Sequence, residues 1–222
     1  GLFYIFYLAT QRRKKNTALS KQVAENKLLL QEVHHRVKNN LQIVSSFMLL
    51  QQLKKNVDSD ELIKQLQSKI QALALIHQQL HQQNSFATIE LQPYFEQLVT
   101  DTLAIHTDVN TQVKYSINAY NTSLNLDTLT PLALITTELL LNSIKYVAAN
   151  QACTITIKAV QNNDNILFTY ADNGPGLPTE IDFETATSTG LRLVKRLAKQ
   201  IRATATIDKN SVGLSFLLEI PC

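Results

Sequence analysis

Four short stretches of the chain carry side chains whose types and spacing could do chemistry. The first is Glu32-Val33-His34-His35-Arg36-Val37-Lys38-Asn39-Asn40-Leu41-Gln42. On a helix His35 and Asn39, four residues apart, share a face, and Glu32 and Arg36 flank it. A neutral imidazole is a competent nucleophile, and its ordinary pKa of about 6.5 leaves much of it uncharged near neutral pH. The plainer reading is a solvated helical face with two incidental histidines, and composition alone favours it. The second stretch places Glu138, Asn142 and Lys145 at i, i+4 and i+7. A carboxylate, an amide oxygen and an ammonium on one face suit a hard divalent cation carrying a triphosphate. The plainer reading is an exposed helix side with a charge pair.

The third stretch is Asp172-Asn173-Gly174-Pro175-Gly176-Leu177-Pro178. Its two glycines permit positive φ and a close approach of backbone to a flat ligand, and Asp172 could accept from an exocyclic amine. The fourth, Thr187-Ser188-Thr189-Gly190-Leu191-Arg192-Leu193-Val194, offers hydroxyls and free N–H groups at the start of a helix. An ordinary capped helix start has the same composition. His77 and His81, four residues apart, lack an evident third ligand, so a metal site there is disfavoured.

These stretches need elements to position them. Thr17 to Gln83 contains neither Pro nor Gly, and the pattern predicts two helices broken near Lys54–Asp60. In the second, Ile63, Leu66, Ile70, Leu73, His77 and Leu80 repeat as a heptad seam. In the first, Leu30, Val33, Val37, Leu41, Val44 and Met48 form a similar stripe. An antiparallel hairpin cannot bury both seams alone, so two copies would form a four-helix bundle. Asn84–Ile89 reads as a linker. Beyond it the pattern predicts a helix over Pro93–His106, strands over Val113–Asn118 and Ser123–Leu126, and a long helix over Thr128–Ala149 capped by Asp127. Strands Cys153–Val160 and Ile166–Tyr170 follow, then a helix over Gly190–Ile201 and a closing hairpin of Ala203–Asp208 and Leu214–Ile220. The expected fold is α+β: a helical hairpin (residues 17–84), then an α/β sandwich (residues 85–222) with one mixed sheet and helices on one face.

Composition excludes several functions. The chain has five glycines, and none lies between Leu2 and Asn173, so neither a P-loop nor a Rossmann fingerprint can be written in its first three-quarters. The net charge is +3, of which Arg12, Arg13, Lys14 and Lys15 supply +4. The remainder is nearly neutral, which is not the balance of a nucleic-acid binder. Two cysteines, Cys153 and Cys222, make no disulfide framework and fit a reducing compartment. The apolar, aromatic run Leu2–Ala9 followed by the four basic residues looks like the cytoplasmic end of a membrane-spanning helix. Residues 1–16 are therefore expected to tether the chain to the cytoplasmic face of the cell membrane, the rest lying in the cytosol.

The stretches EVHHRVKNNLQIVSSFMLLQ, ELLLNSIKY, DNGPGLP, STGLRLV and VGLSFLLEI, in that order, resemble the sensor histidine kinases. The first is similar to the type-two, HWE-related dimerisation domain. The others are similar to the N, G1 and G2 boxes of the GHKL, or Bergerat-fold, ATPases. The resemblance covers Ala24 to Pro221. It implies His35 as phosphoacceptor, with His34 its local competitor and Asn39 part of the same core motif. It implies Asn142 as the Mg²⁺ ligand, with Glu138 beside the γ-phosphate of ATP and Lys145 near the phosphates. Asp172 would bind the adenine amino group, Gly174 and Gly176 would let the chain pass the ring, and Thr189 and Gly190 would meet the phosphates. The implied partners are a second copy of the chain and the receiver domain of a response regulator. Gly190 is the one glycine of its box, where the family usually has more, and this motivates a rival reading as a non-catalytic dimeric ATP-binding scaffold. The general base stays open between Glu32, Glu138 and none.

Overall fold

A computed structural model describes residues 3, 59–83, 88–108, 110–149, 151–162, 164–177, 188–208 and 211–221. The chain divides into two compact units, residues 1–46 and 47–222. Every described helix and strand belongs to the second. His35, Asn39 and the first helical stripe lie outside the described residues, as does the 1–16 segment apart from Phe3. Among the described residues no helix is long and apolar enough to cross a membrane.

The elements run α1 (Ser59–Gln83), β1 (Ile89–Glu90), α2 (Leu91–His106), β2 (Val113–Asn118), β3 (Ser123–Leu124) and α3 (Leu126–Ser143). A π-helical turn (Ile144–Ala148) extends α3 before β4 (Cys153–Asn162), β5 (Asn165–Asp172), α4 (Thr189–Gln200), β6 (Thr204–Ile207) and β7 (Ser215–Pro221). The main sheet has the order β2-β4-β5-β7-β6. Only β2 and β4 are parallel. A parallel pair needs a crossover, and α3 supplies it. The sheet alternates strictly: Ile155, Ile157 and Ala159 of β4, Phe168 and Tyr170 of β5, and Phe216, Leu218 and Ile220 of β7 are all buried on one face. The helices cover that face, as the sequence predicts.

Helix α2 buries Leu91, Tyr94, Phe95, Leu98, Val99 and Thr102, a stripe of helical period. The Phe95 and Phe168 rings meet at 5.6 Å between centroids, joining helix to sheet. Helix α3 is buried on nearly every side and is the central helix of the layer. Its cap differs from expectation: the Asn125 side chain accepts from Thr128 N at 3.0 Å, and Asp127 falls inside the first turn. Asn and Asp cap about equally well, so local sequence did not separate them. The expected linker also ends early. Ile89 is fully buried, and β1 pairs antiparallel with β3 as a small second sheet. Helix α4 ends in Arg202 at φ 55°, with Ala203 N bonding Ala198 O and Arg202 N bonding Lys199 O. This is a Schellman end built without glycine.

Helix α1 packs on α2 and α3 within the same unit. It buries Ser68, Lys69, Ala72, Leu73, Leu75 and Ile76. That stripe shares only Leu73 with the heptad seam; Ile63 and Ile70 of the seam are 60% and 55% exposed. Polar contacts stitch this packing. Tyr94 donates its hydroxyl proton to Ala72 O at 3.1 Å, and burial raises its pKa far above the usual phenol value, so it stays a donor. Ser68 Oγ lies 2.8 Å from His106 Nε2. Burial lowers the His106 pKa below 6.5, partly offset by Glu61 and by a hydrogen bond to the backbone of Lys64.

Two outcomes follow from this packing. A Cβ on Gly213 would sit 1.9 Å from Asp172 O, and one on Gly174 would sit 2.3 Å from the Val147 Cγ2. Gly176 has φ 70° but a nearest neighbour at 3.3 Å. Thermal melting should therefore rank Gly213→Ala as the most destabilising, by about 3 kcal/mol, with Gly176→Ala nearer about 1 kcal/mol. For His106, a lowered folded pKa means that its contribution to stability is complete above about pH 6.5 and is lost as the pH falls toward the folded value. Between about pH 7.5 and about 5.5 the wild-type melting temperature should fall more steeply than that of His106→Gln.

Candidate functional site

The described polar residues of the second, third and fourth stretches lie on α3 and its π-helical extension, at the end of β5 and in the first turn of α4. Asp172 closes β5. Its backbone N donates to Leu214 O at 2.9 Å. Its Oδ1 accepts from Gly174 N at 2.9 Å and from Leu214 N at 3.1 Å, and its Oδ2 accepts from Ser143 Oγ at 2.5 Å. Because Ser143 gives its one proton to Asp172, the Tyr170 hydroxyl, 2.8 Å away, donates to Ser143. Burial holds the Tyr170 pKa well above the usual phenol value, consistent with that role. A carboxylate has about four acceptor directions, so three bonds leave Asp172 one for a ligand donor. Burial, reinforced by Asp172, pushes the Cys153 thiol up to about 11, so it stays protonated and is no nucleophile at neutral pH.

The wall beside Asp172 is glycine because nothing else fits. Gly174 lies against Val147 of the π-helical turn, and Gly213 lies against the Asp172 carbonyl. Neighbouring Asn173 is pinned outward. Its side chain accepts from Thr154 N at 2.7 Å and donates to Ala152 O at 3.0 Å, tying the turn to the start of β4.

Immediately before Ser143, Asn142 is half-buried, and one turn before Asn142, Glu138 is buried. Gly190, at the second position of α4, would carry a Cβ 3.1 Å from Glu138 Oε2, so the missing side chain makes room for that carboxylate. Thr189 beside it is buried, and Ser188, the residue capping α4, makes no side-chain cap bond. The first turn of a helix leaves N–H groups without intrahelical partners, and they favour an anion. Lys145 falls within the π-helical turn, is exposed, and stands 5.7 Å from the Tyr146 ring centroid. The inserted residue of a π turn shifts the next residues out of α-helical register, and π turns recur at functional sites.

Thus Asp172 and Gly174 lie together at the Ser143 end of α3, with Gly176 against Gly213, and Gly190, next to Thr189, lies against Glu138, with Asn142 on α3 between the two groups. Lys145 is exposed in the π-helical turn beyond Ser143. His35 and Asn39 lie outside the described residues, as does the segment 178–187 before α4. The amide oxygen of Asn142 fits a hard divalent cation, Glu138 being paired with Lys69, and the spare acceptor of Asp172 fits an amino group. No group of three or more metal-ligating side chains occurs among the described residues, so such a cation would need oxygens from its own ligand.

Sequence reasoning missed three participants. Ser143 and Tyr170 orient Asp172. Lys69 of α1 forms an ion pair with Glu138, Nζ to Oε1 2.7 Å. Ser143 adjoins Asn142 on a helix otherwise rich in leucine, and Lys69 shares a stripe with Ala72, Leu73 and Ile76, so both had a legible signal in their apolar neighbours.

Comparison with known proteins bears on the family. Residues 32–106 match the family described as histidine kinase, and residues 128–222 match that of the histidine kinase-, DNA gyrase B- and HSP90-like ATPases. The sensor histidine kinase PdtaS of Mycolicibacterium smegmatis is 28% identical over 219 residues, which is 95% of this chain and 42% of that protein. Blue-light-activated histidine kinase 2 of Erythrobacter litoralis is 24% identical over 196 residues, 86% of this chain and 56% of that protein. The chain thus spans about half the length of these relatives. The solved structure of the Erythrobacter litoralis EL346 blue-light activated histidine kinase has a TM-score of 0.66 at 19% identity, over 86% of this chain and 58% of that one. The histidine kinase domain of the same protein has a TM-score of 0.61 at 16% identity, over 83% and 94%. At these identities the structural likeness concerns the fold. The two family matches, in the order read from the motifs, show that the chain belongs to the histidine kinases, joining the helical region of that family to an ATPase domain of the type shared with DNA gyrase B and HSP90.

Proposed function

We propose that the chain is the kinase portion of a sensor histidine kinase, which phosphorylates itself on His35 at the expense of ATP and passes the phosphoryl group to an aspartate of a response-regulator receiver domain. The observation that carries this reading is the Asp172 junction. A carboxylate held by Ser143, Gly174 and Leu214 keeps one acceptor free beside a wall that only glycine can form. The family assignment supports it independently.

When bound, Mg-ATP supplies the transferable phosphoryl group. Asp172 accepts from the adenine amino group, and Gly174 and Gly176 let the backbone lie against the ring. Asn142 ligates Mg²⁺, with Glu138 one turn before it. Thr189 and Gly190 turn the N–H groups of α4 toward the phosphates. The His35 ring nitrogen forms the N–P bond as the β–γ bridging oxygen leaves with ADP, and Asn39 shares its helical face. Residues 17–84 pair two copies of the chain. The exposed Ile63 and Ile70, seven residues apart on α1, support a seam of that kind. The aromatic and basic residues of 1–16 support a membrane tether.

Incubating the chain with γ-phosphate-labelled ATP and Mg²⁺ tests the reading. The expected product carries acid-labile, alkali-stable label that His35→Gln removes and His34→Gln retains. Label that survives His35→Gln overturns the assignment, and nucleotide binding without label identifies the non-catalytic scaffold instead. Calorimetry should show that Asp172→Asn weakens ATP binding by about 10- to 100-fold, the worth of a charge-assisted hydrogen bond of about 1.5–3 kcal/mol.

A further inference from the structure

Lys69 is the most buried charge among the described residues. Its side chain is 1% exposed, its partner Glu138 is 8% exposed, and their Nζ and Oε1 atoms are 2.7 Å apart. The two residues come from different elements, Lys69 from α1 and Glu138 from α3. The second oxygen of Glu138 faces Gly190 in the first turn of α4. The carboxylate therefore lies between the Lys69 ammonium and the helix end that would take phosphates. Desolvating two charges is costly, and replacing such a pair by apolar side chains is often neutral or stabilising, so stability is weak grounds for its presence. The position of the pair points to another role.

We propose that Lys69 is a charge-balancing residue of the nucleotide site, contributed by α1, which neutralises Glu138 so that a triphosphate can approach the first turn of α4. This rests on the placement of the phosphates at Thr189 and Gly190. Without Lys69, the Glu138 carboxylate repels the incoming phosphates at close range in a poorly solvated setting, where a unit charge acts more strongly than in water. Without Glu138, the ammonium attracts them. The adenosine part of the ligand sits at Asp172 and senses neither change. Nucleotide affinity is thereby linked to the seating of α1, because displacing that helix carries the compensating charge away.

The test is a four-member series in the full chain: wild type, Lys69→Met, Glu138→Gln and the double variant. Binding of ATP and of adenosine is measured by calorimetry. The net charge of the pair is zero in the wild type and the double variant, negative in Lys69→Met and positive in Glu138→Gln. The expected ATP affinity is highest for Glu138→Gln, intermediate and equal for the wild type and the double variant, and lowest for Lys69→Met. Each unit of charge should change it by about tenfold or more, equivalent to about 1.4 kcal/mol. Adenosine affinity should be the same throughout. ATP and adenosine affinities that fall together in Lys69→Met would show a merely structural role and overturn the proposal. Should Lys69→Met not fold, Glu138→Gln and the double variant decide, since equal ATP affinities in those two overturn it. A wild type that binds ATP while the series stays flat overturns this proposal alone. A wild type that binds neither ligand overturns the nucleotide-site reading as well.

Discussion

The structure turns on one half-buried carboxylate. Asp172 ends β5 at the point where the central strand must stop, the chain must turn and α3 must pass beneath. Its backbone and side chain both bond to Leu214, which holds the start of β7 in place. Its second oxygen accepts a hydrogen bond from the Ser143 hydroxyl, which ties it to α3. Taking a carboxylate out of water is tolerable only when donors replace the lost solvent, and here they come from three separate segments. The neighbours accept this geometry at a steric cost, which is why Gly174 and Gly213 carry no side chain.

Glu138 shows the same constraint with a different solution. About one and a half helical turns before the Ser143 end of α3, it is buried, and a lysine from α1 meets it. Together with Tyr94 bonding Ala72 and Ser68 bonding His106, this makes α1 a polar-stitched part of the unit that holds the site. The buried face of α1 and its heptad seam are largely different faces. One helix can therefore pack on α2 and α3 through Leu73 and Ile76 while leaving Ile63 and Ile70 available.

Much of the fold was legible because the local signals were strong. The alternation through Cys153–Val160 and Ile166–Tyr170 marked β4 and β5, and the helix expected over Gly190–Ile201 is α4. The boundaries were less so. Asn125 and Asp127 are both good caps, and only the hydrogen bond to Thr128 chooses between them. Ile89 and Glu90 are too few to alternate, and they form a strand because Ser123 and Leu124 are opposite. The π turn after Ser143 has no marker in its residues, since Ile144–Ala148 would serve equally in an α-helix.

The sequence by itself determined the family. The motifs around His35, Asn142, Asp172 and Gly190 are short and come in a fixed order, and that order carries the family. The tertiary structure decided how those residues are supported and charged. Ser143, Tyr170 and the Leu214 N–H orient Asp172, Gly190 opens the space filled by Glu138, and Lys69 crosses from another helix to neutralise that carboxylate. Lys69 and Glu138 are far apart in the chain, and no local pattern pairs them. Their pairing arises because a carboxylate shut away from water must find a positive charge wherever the packed helices bring one within reach.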